Sequence, residues 1–571
     1  MNCTSVWHNC RVHRHIDVPM RDGVKLATSV FLPESSGPFS TILVRTSYWR
    51  TNYAWYGSFF ARKGYAFVVQ DTRGRYDSPG QFYPFLDEGR DGQDTLAWLA
   101  AQPWCNGRVG MFGASYEAGT QLFIPREGPS TLTSLAPSFM TGDCWRRAYY
   151  ADGAFSLALN LIWLAFEVPS RTSDSPFMAH CDMGRLFRKL PLLTLDVESA
   201  YGEISYWRDF VTHWFYDDYW RAMSIRDHYS AFTMPVLLIG GWYDYYARET
   251  LENFAALRRQ TPAAVRERHR VIVGPWGHGW SGSTRMGHVD FGPSSLIDHN
   301  DMYLRWFDQT LNNATSGPFE APVRLFVMGA NVWRDEHEWP LARTHYTKFY
   351  LHSGGRANSL YGDGALNAEA PSDEPADSFT YNPDNPAPTL GGNHSVGLFW
   401  EAARSVIQPG PFDQRPIERR DDVLVFTSAP LENDLEMTGP VELVLYAATS
   451  APDTDFVARL CEVYPDGRSI NLTEGVIRAR FRERQWDHPS LVTPNAVCEY
   501  RIDLQVTSNV FRKGNRIRLG LTSSCFPLWD RNPNTGHEPG LDSEMSLAHQ
   551  SIRHDRHYAS HLILPVIPEK A

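Results

Sequence analysis

Three short stretches carry residue types that together can transfer an acyl group. Gly113-Ala114-Ser115-Tyr116-Glu117-Ala118-Gly119 sets a serine between an apolar run, Val109 to Phe112, and a segment of helical spacing from Glu117 onward. A strand–Gly–Ser–helix turn places the serine oxygen at the carboxyl end of a sheet, over the free N–H groups of a helix N-terminus. The stretch departs from the G-x-S-x-G elbow, because Glu117 stands at the second glycine position and Gly119 follows two residues later. A glycine-capped turn with an incidental serine is the competing reading. Gly241-Trp242-Tyr243-Asp244 follows the apolar run Val236 to Gly240. Asp244 therefore lies at the mouth of a second strand, either as a catalytic acid or as the N-cap of a helix beginning near Tyr246. Gly274-Pro275-Trp276-Gly277-His278-Gly279 follows Arg270 to Val273 and holds a histidine in a constrained loop. His278 is the best base candidate of the 20 histidines, while its rival His288 is delivered by no strand.

A serine needs a base to lose its proton at neutral pH, and the base needs an acid to fix its tautomer. Ser115, Asp244 and His278 occur in the chain order Ser…Asp…His, each after a predicted strand, and that joint coincidence outweighs any one of them. Acyl transfer also needs donors for the developing oxyanion. The Tyr116 N–H, directly after the serine, is one. The second should come from the loop after an early strand, here Arg45-Thr46-Ser47-Tyr48. That loop has no HGGG-type backbone donor, so the Tyr48 hydroxyl is the candidate, unless Tyr48 simply packs. Trp49, Glu117, Tyr245 and Trp276 flank these residues and are the candidates for contact with substrate. No H-E-x-x-H, P-loop or dinucleotide fingerprint occurs. His554, His557 and His561 cluster without a cysteine or glutamate, a pattern weaker than a metal site. Neither a metal nor another cofactor is expected.

These residues require a parallel sheet to bring them together. Val24 to Leu32, Thr41 to Val44, Tyr65 to Gln70 and Val109 to Phe112 read as strands, with Asp91 to Ala101 as a helix between two of them. Alternation of strand and helix is the signature of a parallel sheet covered by helices. Aromatic and charged residues then recur at helical spacing from Trp163 to Trp220, and no strand appears before Val236. Residues 143–235 thus read as a helical insertion between core segments 1–142 and 236–318, the latter closing with a helix from Leu296 to Leu311. From residue 319 to 571 short alternating runs such as Val441 to Ala447, Phe456 to Tyr464 and Arg516 to Leu521 predict a β-sandwich or jelly roll. Residues 369–396, rich in Pro, Asp, Asn and Gly, predict a long surface connection.

The 571 residues exceed what one core holds, and a composition of 43% hydrophobic and 21% charged residues is ordinary for a globular protein. Aromatics reach 13%, with 19 Trp, which suits either large cores or a broad apolar pocket. A net charge of −11 without basic runs argues against a nucleic-acid partner and against an anionic membrane surface. No apolar stretch of about 18 residues predicts a membrane span. The polar, His-rich start lacks the apolar run of a secretory signal. Eight scattered cysteines predict reduced thiols in a cytoplasmic protein. A homo-oligomer is left open.

The chain resembles the cocaine esterase-like (CocE/NonD) hydrolases, relatives of the X-Pro dipeptidyl-peptidases and α-amino-acid ester hydrolases. The likeness spans nearly the whole chain. It includes Val18-Pro19-Met20-Arg21-Asp22-Gly23, Asp71-Thr72-Arg73-Gly74-Arg75, Gly89-Arg90-Asp91-Gly92 and Pro103-Trp104-Cys105-Asn106-Gly107-Arg108-Val109-Gly110. The serine, acid and base stretches, Asp217-Asp218-Tyr219-Trp220 and Pro383-Asp384-Asn385-Pro386 continue it. The resemblance implies an α/β-hydrolase core with an inserted helical cap and a C-terminal jelly roll. It implies an acyl-enzyme on Ser115, with Tyr48 and Tyr116 as oxyanion donors and Asp71 with Arg73 as a structural ion pair. The substrate would be a small-molecule ester, or an amide if the peptidase branch is the better guide. The amine-binding relatives carry carboxylates just after the triad aspartate. Here Tyr245, Tyr246 and Ala247 follow Asp244, which points to a neutral apolar or aromatic acyl group; Glu117, shared with amine binders, is the counter-argument. A binding protein on a degenerate scaffold is the reading from another class.

Overall fold

The computed structural model describes residues 4–7, 10–146, 148–172, 181–199, 201–279, 282–394 and 406–568. One sheet carries the catalytic candidates. Its strands are β1 (Thr4–Trp7), β2 (Cys10–Pro19), β3 (Lys25–Pro33), β4 (Phe39–Thr46), β5 (Ala66–Asp71), β6 (Cys105–Ala114), β7 (Leu132–Ser138), β8 (Leu237–Gly241), β9 (Arg270–Gly274), β10 (Val323–Val327) and β11 (Val332–Glu336). Their spatial order is β1-β2-β3-β5-β4-β6-β7-β8-β9-β10-β11. From β5 to β10 every pairing is parallel, and antiparallel strands finish both edges.

The middle strands are buried on both faces, and successive residues serve opposite layers. Ile42 and Val44 of β4, Phe67 and Val69 of β5, and Leu237 and Ile239 of β8 join one apolar cluster. Leu43, Val68 and Leu238 join the other. Helices α1 (Ala54–Arg62) and α5 (His299–Leu311) cover the first face through Phe60, Trp306 and Phe307. Helices α2 (Glu88–Ala100), α3 (Tyr116–Leu122) and α4 (Ala247–Gln260) cover the second through Leu99, Leu122 and Leu251. Gly110 permits close approach on the first face, since a Cβ there would lie 2.7 Å from the Phe307 ring.

Between β7 and β8 lie short helices, including Ser205–Thr212 and Asp218–Arg221, and one π-helical stretch, Leu161–Glu167. Tight aromatic packing holds them: Tyr149 meets Phe210 at 4.4 Å, and Phe210 meets Trp220 at 5.1 Å between ring centroids. The indole N–H of Trp220 donates to the His213 carbonyl, so burial leaves no orphan donor there. This layer also rests on the C-terminal domain, with Trp145 5.7 Å from Trp486 and the Phe155 N–H donating to Asp530 at 2.8 Å.

The C-terminal domain is a jelly roll built almost wholly of antiparallel pairs. Its longest strand, Leu435–Thr449, pairs with Cys498–Phe511, Ala548–Arg553 and His561–Ile567. Residues 369–394 depart in part from the expected surface connection, whose last two residues, 395 and 396, lie outside the described residues. Asp377–Tyr381 is a strand on Ala548–Arg553, and Ala387, Thr389, Asn393 and His394 are buried. Pro371, Pro383, Pro386 and Asn393 are buried along it, while Pro375, Asn385 and Pro388 stay exposed. Of the three clustered histidines, only His554 is wholly buried, and it contacts Asp377 at 2.9 Å and Glu374 at 3.3 Å. His561 bonds the Ala559 carbonyl, and His557 is exposed.

Burial alone would lower the His554 pKa, but Asp377 and Glu374 outweigh it and hold the group above the ordinary histidine value. The remaining polar neighbours are Ser353, at 3.4 Å, and His352, which shares Glu374. A raised folded pKa adds stability that is complete below the unfolded value of about 6.5 and is lost as pH rises through the folded one. His554→Gln is therefore expected to lower Tm more near about pH 5.5 than near about pH 8.5. Thermal unfolding checks this, and an equal loss at both would show that His554 is held neutral.

Candidate active site

Ser115 sits between β6 and α3 with φ 59° and ψ −122°, a left-handed conformation that is costly for a residue with a side chain. The turn lifts it out of the strand at the carboxyl end of the sheet. The neighbouring Gly113, at φ 151°, has no room for a Cβ, which would fall 2.4 Å from that of Glu117. Glycine is thus needed one turn below the carboxylate that replaces the usual second elbow glycine.

Asp244 and His278 follow β8 and β9, which are adjacent, parallel and in register, Gly241 opposite Gly274. Backbone bonding continues past the strand ends, Trp242 N–H to the Gly274 carbonyl at 2.8 Å and Tyr243 N–H to the Trp276 carbonyl at 2.9 Å. His278 Nδ1 lies 2.8 Å from Asp244 Oδ1, and Asp244 is fully buried. The contact occupies Nδ1, and His278 also lines the cavity that Ser115 opens onto.

Ser115, His278, Tyr48, Tyr116 and Glu117 all line one cavity of about 540 Å³. Phe85, Met140, Tyr149, Leu159, Trp163 and Tyr246 supply most of its apolar wall. The Tyr48 oxygen accepts a bond from Trp163 Nε1 at 3.0 Å, leaving its own hydrogen to donate elsewhere. Burial, with Glu117 and Glu167 nearby, pushes the Tyr48 hydroxyl well above the ordinary tyrosine value, so it stays a donor. The Tyr116 N–H opens α3, where the first N–H groups have no intrahelical acceptor. Burial raises the Glu117 carboxyl to about 7, against the opposing pull of the Tyr53 and Thr46 hydroxyls, the Ala114 backbone and His278.

Three expected substrate contacts lie elsewhere. Trp49 is 42% exposed and stacks on Tyr76 at 5.8 Å. Trp276 is buried against Trp333, its N–H given to the Ser295 carbonyl. Tyr245 turns toward His394, 6.2 Å away, while Tyr246 faces His278 at 5.5 Å. The helix begins one residue later than a reading from Asp244 alone suggests, so the second tyrosine takes the cavity. Asp71 and Arg73 do not pair with each other. Asp71 binds Arg50, and Arg73 binds Asp91 and Asp22, each at 2.7 Å. His288 packs at a tilt against Phe412 and does not line the cavity. Tyr149, Trp163 and His299 carried no sequence signal, because Tyr149 sits in a turn and the other two on helices whose facing cannot be read from one chain.

A serine in a strained strand-to-helix turn, over an eleven-stranded, mostly parallel sheet with a capping insertion, defines a serine hydrolase of the α/β-hydrolase fold. Residues 22–280 match the X-Pro dipeptidyl-peptidase (S15 family), and residues 319–563 match the X-Pro dipeptidyl-peptidase C-terminal non-catalytic domain. The chain is 37% identical to the cocaine esterase of Rhodococcus sp., over 98% of this chain and 99% of that one. It belongs to the cocaine esterase-like (CocE/NonD) hydrolase family. An α-amino acid ester hydrolase shares its fold with a TM-score of 0.83 at 23% identity, over 98% of this chain and 97% of that one. An aminopeptidase from a marine-sediment Thaumarchaeota archaeon does so with a TM-score of 0.82 at 24% identity, over 99% and 98%. Among the described residues no helix is long and apolar enough to cross a membrane.

Gly113→Ala is expected to reduce both turnover and Tm, because the added carbon must displace Glu117 or unwind the left-handed turn. Activity and thermal unfolding of the purified variant check this; unchanged values for both would mean that the elbow tolerates a Cβ.

Proposed function

We propose that the protein hydrolyses carboxylic esters of a small neutral apolar or aromatic acyl group through an acyl-enzyme on Ser115. The observation that carries this reading is the Asp244–His278 pair opening onto the same aromatic cavity as the strained Ser115. In this mechanism Ser115 Oγ attacks the acyl carbon as His278 takes its proton. Asp244 on Nδ1 holds the tautomer and stabilises the imidazolium. The Tyr48 O–H and Tyr116 N–H receive the charge that develops on the carbonyl oxygen. His278 returns the proton to the leaving alkoxide, and a water activated by the same imidazole clears the acyl-enzyme. The division at 142/143, 235/236 and 318/319, and a cytoplasmic location in keeping with seven free cysteines among the described residues, belong to the same proposal.

Ser115→Ala is expected to lower kcat by about a millionfold while leaving the fold intact, the usual loss for a nucleophile acting as a unit with its base. Hydrolysis of an aryl ester and labelling by a fluorophosphonate measure it. A variant keeping a tenth of the wild-type rate would place the nucleophile elsewhere.

An amine-bearing acyl group is the second reading, favoured by Glu117 and Glu167 in the cavity wall. Against it, Tyr149 and Tyr246 offer flat apolar surface, which rewards burial and edge-to-face contact, and one oxygen of Glu117 already accepts two hydroxyls. The neutral reading predicts a higher kcat/KM for a phenylacetyl ester than for the matching phenylglycyl ester. A clear phenylglycyl advantage that Glu117→Gln removes would reverse the assignment, and faster cleavage of anilides than of esters would favour the amidase branch.

A further inference from the structure

Tyr48 and Tyr116 reach the cavity from separate elements, the loop after β4 and the start of α3, so something must hold the two in register. Oxyanion donors act only within a few tenths of an ångström of their geometry, and a misplacement of about 1 Å costs about 100-fold in rate. The segment from residue 47 to 52 bends at residues 47–49, with Trp49 at φ 76°, and then enters the single 3-10 turn Arg50–Tyr53. Its middle is tied to β5, where the Arg50 N–H donates to Asp71 at 2.7 Å. Its two ends meet a single atom. Thr46 Oγ1 donates to Glu117 Oε1 at 2.8 Å, and the Tyr53 hydroxyl donates to the same oxygen at 2.6 Å. Thr46 Oγ1 also accepts the Tyr48 backbone N–H at 3.0 Å, so the chain of bonds runs from Tyr48 to the carboxyl without a gap. Glu117 stands two residues after Ser115 on α3, and it is 6% exposed.

We propose that Glu117 is a positioning residue, which fixes both ends of the Tyr48 loop to the helix that carries Ser115 and Tyr116. It acts through Thr46 and Tyr53 and makes no bond to the reacting atoms. The role explains why a carboxylate occupies the second glycine position of the elbow. A glycine there would bring nothing within reach of Thr46 or Tyr53, and the loop would lose its one shared anchor on α3 among the described residues. The role also needs only an acceptor oxygen, which a protonated carboxyl or an amide supplies as well as a carboxylate.

The inference rests on Tyr48 and Ser115 acting as proposed above, and the experiment separates the two. Kinetics of a neutral aryl ester are compared for wild type, Tyr48→Phe, Glu117→Gln, Glu117→Leu, Thr46→Val and the double variant Tyr48→Phe/Glu117→Leu. Tyr48→Phe alone tests the donor: a loss of about 100-fold in kcat supports it, and a near-normal rate removes the donor rather than the anchor. Glu117→Leu is expected to lower kcat by about 100-fold with KM within about threefold, Glu117→Gln to stay within about fivefold of wild type, and the double variant to be scarcely worse than Tyr48→Phe, since both lesions disable one donor. Full additivity, a normal kcat in Glu117→Leu, or a Gln variant as slow as Leu would each overturn the anchor. If Glu117→Leu does not fold, Thr46→Val decides: it must lower kcat, and less so in the Tyr48→Phe background.

Discussion

The site depends first on the continuation of sheet pairing beyond the strands that formally end it. β8 and β9 stop at Gly241 and Gly274, yet their backbones stay bonded through Tyr243 and Trp276. That extension carries Asp244 and His278 upward side by side, and their 2.8 Å contact follows from it. It works only because Gly241 has no side chain. A Cβ there would sit 2.3 Å from the Trp276 carbonyl, a backbone atom that cannot swing away. A buried carboxylate without a partner is expensive, so the histidine is a structural requirement of Asp244 as much as the reverse.

The aromatic surplus divides between two tasks. Trp207, Phe210 and Trp220 form the core of the insertion and never meet the cavity. Phe85, Tyr116, Tyr149, Trp163 and Tyr246 line it. Trp163 does both, since its ring is wall and its N–H occupies the Tyr48 oxygen. It lies in the π-helical stretch Leu161–Glu167. A π turn rotates the residues after it relative to an α-helix, and such turns gather at functional sites. Here that places the indole against a core loop more than a hundred residues away.

The parallel core was legible because its strands are doubly buried and its chemistry sits at strand ends. Ser115, Asp244 and His278 could each be located by their position just past the end of an apolar run. Tyr245 shows where that logic ends: a helix start uncertain by one residue exchanges the side chain facing the cavity for one facing the jelly roll. Asp71 and Arg73 show another boundary. Two residues apart at the end of a strand they look like a pair, but their side chains leave the backbone in different directions and find Arg50 and Asp91. The walls from the insertion were illegible because residues 157–165, which supply Leu159 and Trp163, are buried nearly all round, so periodicity gives no facing, and Tyr149 sits in a turn. In residues 377–394 composition misled in part, because some polar and turn-forming residues there bond to buried partners such as the Trp242 carbonyl held by Asn393.

A carboxyl beside a reacting serine has opposite effects on the two charges that acyl transfer creates. In the proposed acyl transfer, an ionised Glu117 would stabilise the imidazolium of His278 and oppose the negative oxygen that Tyr48 and Tyr116 would hold. A protonated Glu117 does neither. Burial raises this group to about 7, so the site holds it where the charge is easily given up. Its bonds to Thr46 and Tyr53 survive that loss, because the hydroxyls donate and a neutral carboxyl still accepts. Asp244 differs in kind. In the proposed mechanism it faces a ring nitrogen that becomes cationic, and there the negative charge is needed. Two buried acids thus flank one histidine, one valued for its charge and the other for the position of an oxygen.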